Sequence, residues 1–544
     1  PPVGALYFGL YEGDPAQVNT YNMTGSVFAS VLMAVSGRQD YGLGGGEFLN
    51  LRRNMFALFV QDDWKIHPNL TLNLGLRYDY EQPFSEITNR FLTFNYEQSM
   101  FQYAKGAPNL DQVTFPHLTD GPNRPYDPNT RNFAPRIGLA WRPFDDNRTV
   151  VRGGYGIFFT SENAFTTVYG AWVPPFAGNV TYYPRAALRT DNTDSVFPLS
   201  QKPPDFSEVV DRPPTAYLNA REYPTGYMQQ WNLMIGRELI SKLALEVGYV
   251  GTKGTNLNSA STLAVYDYDS HLRTRDIYGS LVNIPVRTKG NNSKYHSLQV
   301  KMKKDFSQGL NLLGSFTWGH ALAESSNDDV NENALVDSSL AGERIVVRRY
   351  SNADFDVRKR FVLSGGYDLP FGQGKRFGGS WNSVLDTILG GWQGHWILTF
   401  SDGYPWTVYD SALRFPDRVR DGNLPADERT VDRWFDFEAF PTHVGTVIPD
   451  PADPTRTITV NLQGNSASNI IVGPGQKNLD LGVQKNFFLT EQARAQLRFE
   501  FFNLTNHPNF IGPSGTYFFN SATGAQITRA RENRDIQVAL KILF

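Results

Sequence analysis

The residues best placed to do chemistry are charged side chains set among apolar neighbours in alternating runs: Arg77, Asp79, Arg136, Arg152, Glu246, Lys301, Arg360, Asp480, Arg498 and Glu500. A spacing of two puts side chains on one face of an extended strand. A face of mixed charge suits a wet interior that holds or passes a solute. The same residues admit a structural reading. Arg77, Arg152, Arg360 and Arg498 can form ion-pair ladders with Asp79, Glu246, Asp368, Asp480 and Glu500, or grip an inner domain. Structural networks of this kind are common in the absence of any site, so ladders are the expectation.

Other chemistry finds little support. Asn327, Asp328, Asp329, Asn331, Glu332 and Asn333 offer the oxygen donors that calcium prefers. They lack the spacing and the glycine of a calcium loop and read as a solvated acidic loop. The eight His are scattered with no H-E-x-x-H, there is no Cys, and no G-x-S-x-G occurs. No metal, cofactor or enzymatic activity is therefore expected. Gly372 to Gly379 (GQGKRFGG) lacks the spacing and the Ser/Thr of a phosphate loop and reads as turn chemistry. Aromatic residues on long connections, Tyr169, Trp172, Tyr182, Tyr183, Tyr404 and Trp406, are candidates to contact a ligand or to fold those loops into a lid.

The elements that must position these residues show a period of two. Leu70, Leu72, Leu74, Leu76, Tyr78 and Tyr80 interleave with Thr71, Asn73, Gly75, Arg77 and Asp79. One face of such a strand is apolar and the other polar. Thirteen segments read this way: 54–66, 70–80, 133–143, 149–159, 228–239, 243–252, 295–306, 310–319, 358–371, 392–401, 477–487, 493–504 and 534–544. The gaps between them alternate. One set is tight except for 372–391; the other (81–132, 160–227, 253–294, 320–357, 402–476 and 505–533) is long throughout. Loops beyond about 12–15 residues are uncommon in compact soluble domains, whereas short turns on one side and long loops on the other mark an outer-membrane barrel, with the short turns in the periplasm. Segment lengths fit the 9–11 or so residues that a tilted membrane strand needs. Trp64 and Trp141 lie just before short turns, and Tyr78, Tyr80, Phe159, Trp231, Tyr249 and Trp318 lie toward the long loops, as two aromatic girdles would.

Composition agrees with an all-β transmembrane antiparallel barrel. Of 544 residues, 51 are basic and 54 acidic, a net charge of −3, so there is no basic excess to suggest a nucleic-acid partner. The longest uncharged stretch, Asn163 to Pro184, is broken by Pro174 and Pro175 and is no spanning helix. Pro1 is not an initiator Met and no signal-peptide pattern follows it, so the chain is expected to start after processing or to be part of something longer. Segments one and thirteen run in the same direction and cannot close an antiparallel barrel together. A rising strand must come from upstream, with Val3 to Leu10 one candidate; closure there would make a passive 14-strand channel. Ile536, Val538, Leu540, Ile542 and Phe544 end the chain on an apolar face, the pattern of a barrel-assembly signal.

Several runs resemble the C-terminal barrel of Oar-like TonB-dependent outer-membrane transporters, which carry a carboxypeptidase-regulatory-like domain at the N-terminus. They are NMFALFVQDDWKIHPNLTLNLGLRYDY (Asn54–Tyr80), FAPRIGLAW (Phe133–Trp141), QQWNLMIGREL (Gln229–Leu239), YHSLQVKMKK (Tyr295–Lys304), DVRKRFVLSGGYDLPFG (Asp356–Gly372), LGGWQ (Leu389–Gln393) and FFNLTNHPNF (Phe501–Phe510). The resemblance implies that residues 54–544 are the later strands of a 22-stranded barrel, with 1–53 an upstream barrel or outer-loop segment. It implies a bacterial outer-membrane location and energy-coupled uptake of a large solute (siderophore, glycan or peptide). Outer-membrane lipid, the barrel-assembly machinery, TonB acting through a plug and a surface lipoprotein are the implied partners. Neither plug nor TonB box occurs in this sequence. A surface adhesion or structural barrel is the alternative of another class.

Overall fold

Each of the thirteen alternating segments forms a strand in the computed structural model. They are β1 (Met55–His67), β2 (Leu70–Glu81), β3 (Phe133–Trp141), β4 (Thr149–Phe159), β5 (Tyr227–Ile240), β6 (Leu243–Thr262), β7 (Pro285–Ser307), β8 (Leu310–Ala323), β9 (Lys359–Asp368), β10 (Trp392–Ser401), β11 (Gln476–Phe488), β12 (Arg494–Phe502) and β13 (Asp535–Leu543). The structure describes residues 3–7, 38–44, 49–162, 164, 170–171, 173–182, 218–220, 222–263, 267–279, 282, 284–325, 334–336, 346–348, 350–410, 415–450, 453–460, 464–490, 493–511 and 517–544. The acidic run 327–333 and Tyr169, Trp172 and Tyr183 lie outside them; of Tyr182 only the backbone is described.

The strands pair with their chain neighbours in order, all antiparallel, in one continuous meander from β1 to β13; two short strands pair at its margins. Turn chemistry fixes the register at the short-turn side. Between β7 and β8, Gln308 and Gly309 both take positive φ (54° and 80°), the geometry of a tight two-residue hairpin. The GQGKRFGG run is a turn as expected, with positive φ at Gly372, Gly374 and Gly378.

Directly opposed residues share a face, so the register sorts the side chains. One row runs Ile235, Val247, Val300, Phe316, Phe361, Phe400; another joins Leu74, Ile137, Tyr155 and Trp231. These apolar faces stay exposed: Leu76 is 45% exposed, Val538 61% and Leu540 68%. A row this long and this bare cannot face water and is the acyl-facing surface of a barrel. Cations bracket it. Arg237, Lys304 and Lys485 sit on the outward face near the short turns, and Lys253, Lys294, Lys359 and Lys477 near the long loops. All eight girdle aromatics fall on this same face.

The dry cores lie in the long connections instead. The largest gathers Leu92, Phe94, Phe101, Tyr103, Phe176, Leu218, Leu263 and Ile284; a second gathers Trp406, Val408, Phe435, Phe440, Ile471, Phe518 and Ile527. Apolar residues thus pack inward where water surrounds the chain and outward where lipid does.

Three expectations are corrected. Val3–Tyr7 pairs with Arg38–Gly44 in a separate three-stranded sheet and does not close the meander as a fourteenth strand. β6 and β7 are longer than expected, 20 and 23 residues. They continue past the membrane as a projecting hairpin, with register shifts between Gly254 and Asn258. That stretch is polar on both faces, so its sequence reads as loop although its backbone hydrogen bonds continue. Among the described residues two α-helices also stand where none was anticipated: α1 (Tyr268–Tyr278) and α2 (Ser383–Leu389).

Beyond the outer end of β1 and β2, Ser85–Glu86 pairs with Leu51–Arg52, and Glu86 is fully buried. Burial alone pushes its carboxyl up, but the Thr88 hydroxyl (2.7 Å) and the N–H groups of Arg90, Asn50 and Thr88 outweigh it and hold it below the ordinary value. A lowered folded pKa gives stability that is complete above the unfolded value, about 4.3, and lost as pH falls through the folded value. Proteolysis of the 81–132 connection is therefore expected to accelerate below about pH 4, and Glu86→Gln to remove that acceleration. A cleavage rate flat with pH in the parent protein would contradict this.

Candidate functional site

The register places all ten charged candidates on the inward face. Arg77 opposes Ala134, Asp79 opposes Ala57, Arg136 opposes Gly156 and Arg152 opposes Met234. Glu246 opposes Lys301, Arg360 opposes Thr317, Asp480 opposes Ile397, Arg498 opposes Gln484 and Glu500 opposes Gly482. Opposite signs then meet at three points. Arg77 Nε lies 2.8 Å from Asp79 Oδ1, Arg498 Nη1 lies 4.0 Å from Glu500 Oε1, and Arg152 Nη1 reaches Glu246 Oε2 at 3.9 Å. The last pair spans the intervening strand over Gly236, where a Cβ would stand 3.7 Å from that same oxygen. Pairs this exposed contribute about 0–1 kcal/mol each, so they tune the lumen's field more than they hold the wall.

The other four behave differently. Arg136 stacks its guanidinium 4.7 Å from the Phe158 ring centre. Asp480 accepts from Asn478 Nδ2 and from the Asn503 N–H, both at 2.9 Å. Lys301 and Arg360 carry no ion pair among the described residues. Arg77, Asp79 and Arg136 share a recess of about 430 Å³ with Asn132, Thr160 and Ser161, and Asp480 and Glu500 line another of about 330 Å³ with His395.

Arg360 lines a third recess, of about 470 Å³. Its floor is one inward-facing row at the outer rim of the wall: Arg360 of β9 opposes Ser401 of β10, which opposes Gln476 of β11. Its walls come from three long connections, Asp354 and Val357 being supplied by the one before β9. Tyr404 and Trp406 enter from 402–476, and Phe510, Ile511, Arg529 and Arg531 from 505–533. Phe510–Ile511 pairs with Arg529–Ala530, which brings both arginines to the rim. Trp406 is nearly buried, its ring 4.4 Å from that of Phe518, so it is mainly part of the loop core; Tyr404 is 52% exposed and open to a ligand.

The recess is cationic. Arg360, Arg529 and Arg531 face Asp354 and Asp402, and Asp354 is already engaged by Asn469 Nδ2 at 2.5 Å. None of the three arginines has an ion pair among the described residues, which leaves their planar donor forks available to carboxylate or phosphate oxygens. At about 300–1,000 Å³ for typical ligand sites, the volume suits a small molecule or one group of a larger one. Arg529 and Arg531 were not among the sequence candidates. Their alternate spacing, R-x-R, was a visible signal, but nothing local ties it to residues 404–406.

These features define an integral β-barrel protein of the bacterial outer membrane. A family model described as "Outer membrane beta barrel domain" matches residues 4–537, and the chain belongs to that family. Solved structures that it resembles include the outer membrane transporter YddB from Escherichia coli (8% identity, TM-score 0.45). Others are the pyoverdine outer membrane receptor FpvA from Pseudomonas aeruginosa PAO1 bound to pyoverdine (9%, 0.43) and BauA, the ferric preacinetobactin receptor from Acinetobacter baumannii (11%, 0.40). Each likeness covers 93% of this chain but only 50%, 48% and 43% of the respective structure, so the chain spans half their length or less. No curated protein matches the sequence.

Proposed function

We propose that the chain is the barrel of an Oar-like, TonB-dependent receptor that takes up a solute too large for passive pores, and that its rim recess receives an anionic group of that solute. The observation that carries this reading is the meeting of three guanidiniums with no ion pair among the described residues, Arg360, Arg529 and Arg531, beside exposed Tyr404 where the lumen opens to the long loops. The ordered runs from Asn54 to Phe510 that resemble Oar-like barrels support it. Siderophores, glycans and peptides are all able to present carboxylate or phosphate oxygens to such a site.

The test is uptake of candidate anionic solutes (siderophores, acidic glycans and acidic peptides) by cells with and without the complete receptor. Uptake is expected to stop when TonB is deleted. It is also expected to fall about tenfold or more in an Arg529→Gln, Arg531→Gln double variant, since a hydrogen bond to a charged group contributes about 1.5–3 kcal/mol. Full uptake without TonB would replace active transport with a passive channel. Unchanged uptake on deletion of the receptor, with surface attachment lost, would favour the adhesion reading.

A further inference from the structure

The connection between β9 and β10, residues 369–391, is far longer than the other connections on the short-turn side, and transport through the lumen gives it no task. It carries α2, started by Asn382, whose Oδ1 accepts the Leu385 N–H at 2.9 Å. Val384, Leu385, Ile388 and Leu389 fall on one side of this helix by their spacing. They are 67%, 43%, 56% and 48% exposed, and no residue of the helix is buried.

The helix is held in place from the outside of the wall. Lys485 Nζ donates to the carbonyl oxygens of Asp386 (3.2 Å) and Gly390, capping the end of the helix, and Trp392 Nε1 donates to the Ile388 carbonyl at 3.0 Å. Lys485 and Trp392 oppose each other on the outward face, and the Trp392 ring lies 6.2 Å from that of Phe499 on the same face. The bare apolar side of α2 is therefore continuous with the acyl-facing surface, at its periplasmic margin. Lys375 and Arg376 precede the helix in the same connection, both exposed and neither with an ion pair among the described residues. Apolar residues on one side with basic residues beside them are what a segment lying in a phospholipid interface needs.

We propose that α2 is an interfacial anchor that seats the periplasmic rim in the inner leaflet of the outer membrane. Its Val384, Leu385, Ile388 and Leu389 side chains enter the acyl chains of phospholipids, and Lys375 and Arg376 meet their phosphates. The seat fixes the depth of the β9–β10 hairpin, which the short hairpins leave to their girdle aromatics and cations.

The chain's lack of Cys makes the test direct. Ile388→Cys, and separately Val384→Cys, carry a bimane label on the full chain in vesicles of phosphatidylethanolamine and phosphatidylglycerol. Labels at Val538→Cys (acyl-facing) and Val431→Cys (outer loop) serve as references. The anchor predicts quenching at 388 and 384 by acyl-chain nitroxide lipids, as at 538, with iodide quenching several-fold weaker than at 431. Quenching by iodide to the level of 431 would place the helix in water. Shielding from both quenchers would mean that protein covers it, such as a second copy of the chain. Either result overturns the proposal, whatever the fate of the uptake reading.

Discussion

Val300→Arg is expected to prevent stable insertion of the barrel, at a cost of about 2–4 kcal/mol for a cation near the bilayer midplane, while Gln299→Arg one residue away folds as the parent does. Val300 opposes Val247 on one side and Phe316 on the other, all on the outward face, with no carboxylate among these neighbours. Gln299 opposes Gly248 and Thr317 on the wet face, next to Lys301, so an added cation there stays solvated. Folding into liposomes followed by heat-modifiable gel mobility, with urea titration of the folded fraction, reads the difference. Equal loss in both variants would show that the face assignment is wrong. Alternation alone would have suggested Leu74 for this experiment, with Asn73 as control. The register shows why it is a poor choice: Leu74 directly opposes Asp62 on the outward face, so an arginine there would meet a carboxylate.

Asp62 illustrates what alternation can and cannot reveal. Period two located all thirteen wall strands, because a strand between lipid and water must alternate along its whole length. Two isolated ion pairs were legible, Arg77–Asp79 and Arg498–Glu500, since each is two residues apart in sequence and on one face. No continuous ladder forms among the described residues, and Arg360, Asp368 and Asp480 join no ion pair there. Pairing across strands was legible only in type. Arg152 reaches Glu246 only because the register of β4, β5 and β6 sets them on either side of Gly236. The projecting arms of β6 and β7 were lost for the opposite reason: beyond the membrane they are covered by the long connections, with Ser259, Arg287, Thr288 and Asn291 buried, and no lipid face imposes alternation. α2 was hidden because seven residues are too few for a helical period to stand out from a turn rich in Gly.

The rim recess was the least legible feature, and the cause is long-range pairing. Thr407–Tyr409 runs parallel to Tyr517–Phe519, more than one hundred residues away, and Ile471–Val472 pairs on its other side. Tyr404 and Trp406 could be picked as loop aromatics, but only this three-stranded patch sets them beside Arg529 and Arg531. Cationic and aromatic walls thus depend on a small dry core that belongs to neither the membrane wall nor any single loop.

That dependence makes Phe435→Ala the other substitution with a large expected effect. Phe435 is fully buried, 5.0 Å from the Phe518 ring and 6.0 Å from the Phe440 ring, and so sits where the two connections meet. Beside it, the Trp434 N–H donates to the Ala525 carbonyl at 2.9 Å and the Ile527 N–H to the Val431 carbonyl at 2.7 Å, joining the same two segments. Truncating a buried Phe costs about 3–5 kcal/mol, more than a core of this size can lose and stay packed. The expected result is rapid protease cleavage within 402–476 and 505–533 and loss of anionic-solute binding, with the barrel's heat-modifiable mobility unchanged. Phe435→Leu, which keeps most of the volume, is expected to restore both protease resistance and binding. The wall strands survive because their stability comes from lipid on one face and backbone pairing at their edges, to which Phe435 contributes nothing. Loops in Phe435→Ala that stay resistant and bind as before would show that the recess is held by the wall itself, and the three arginines would then need another explanation for their convergence.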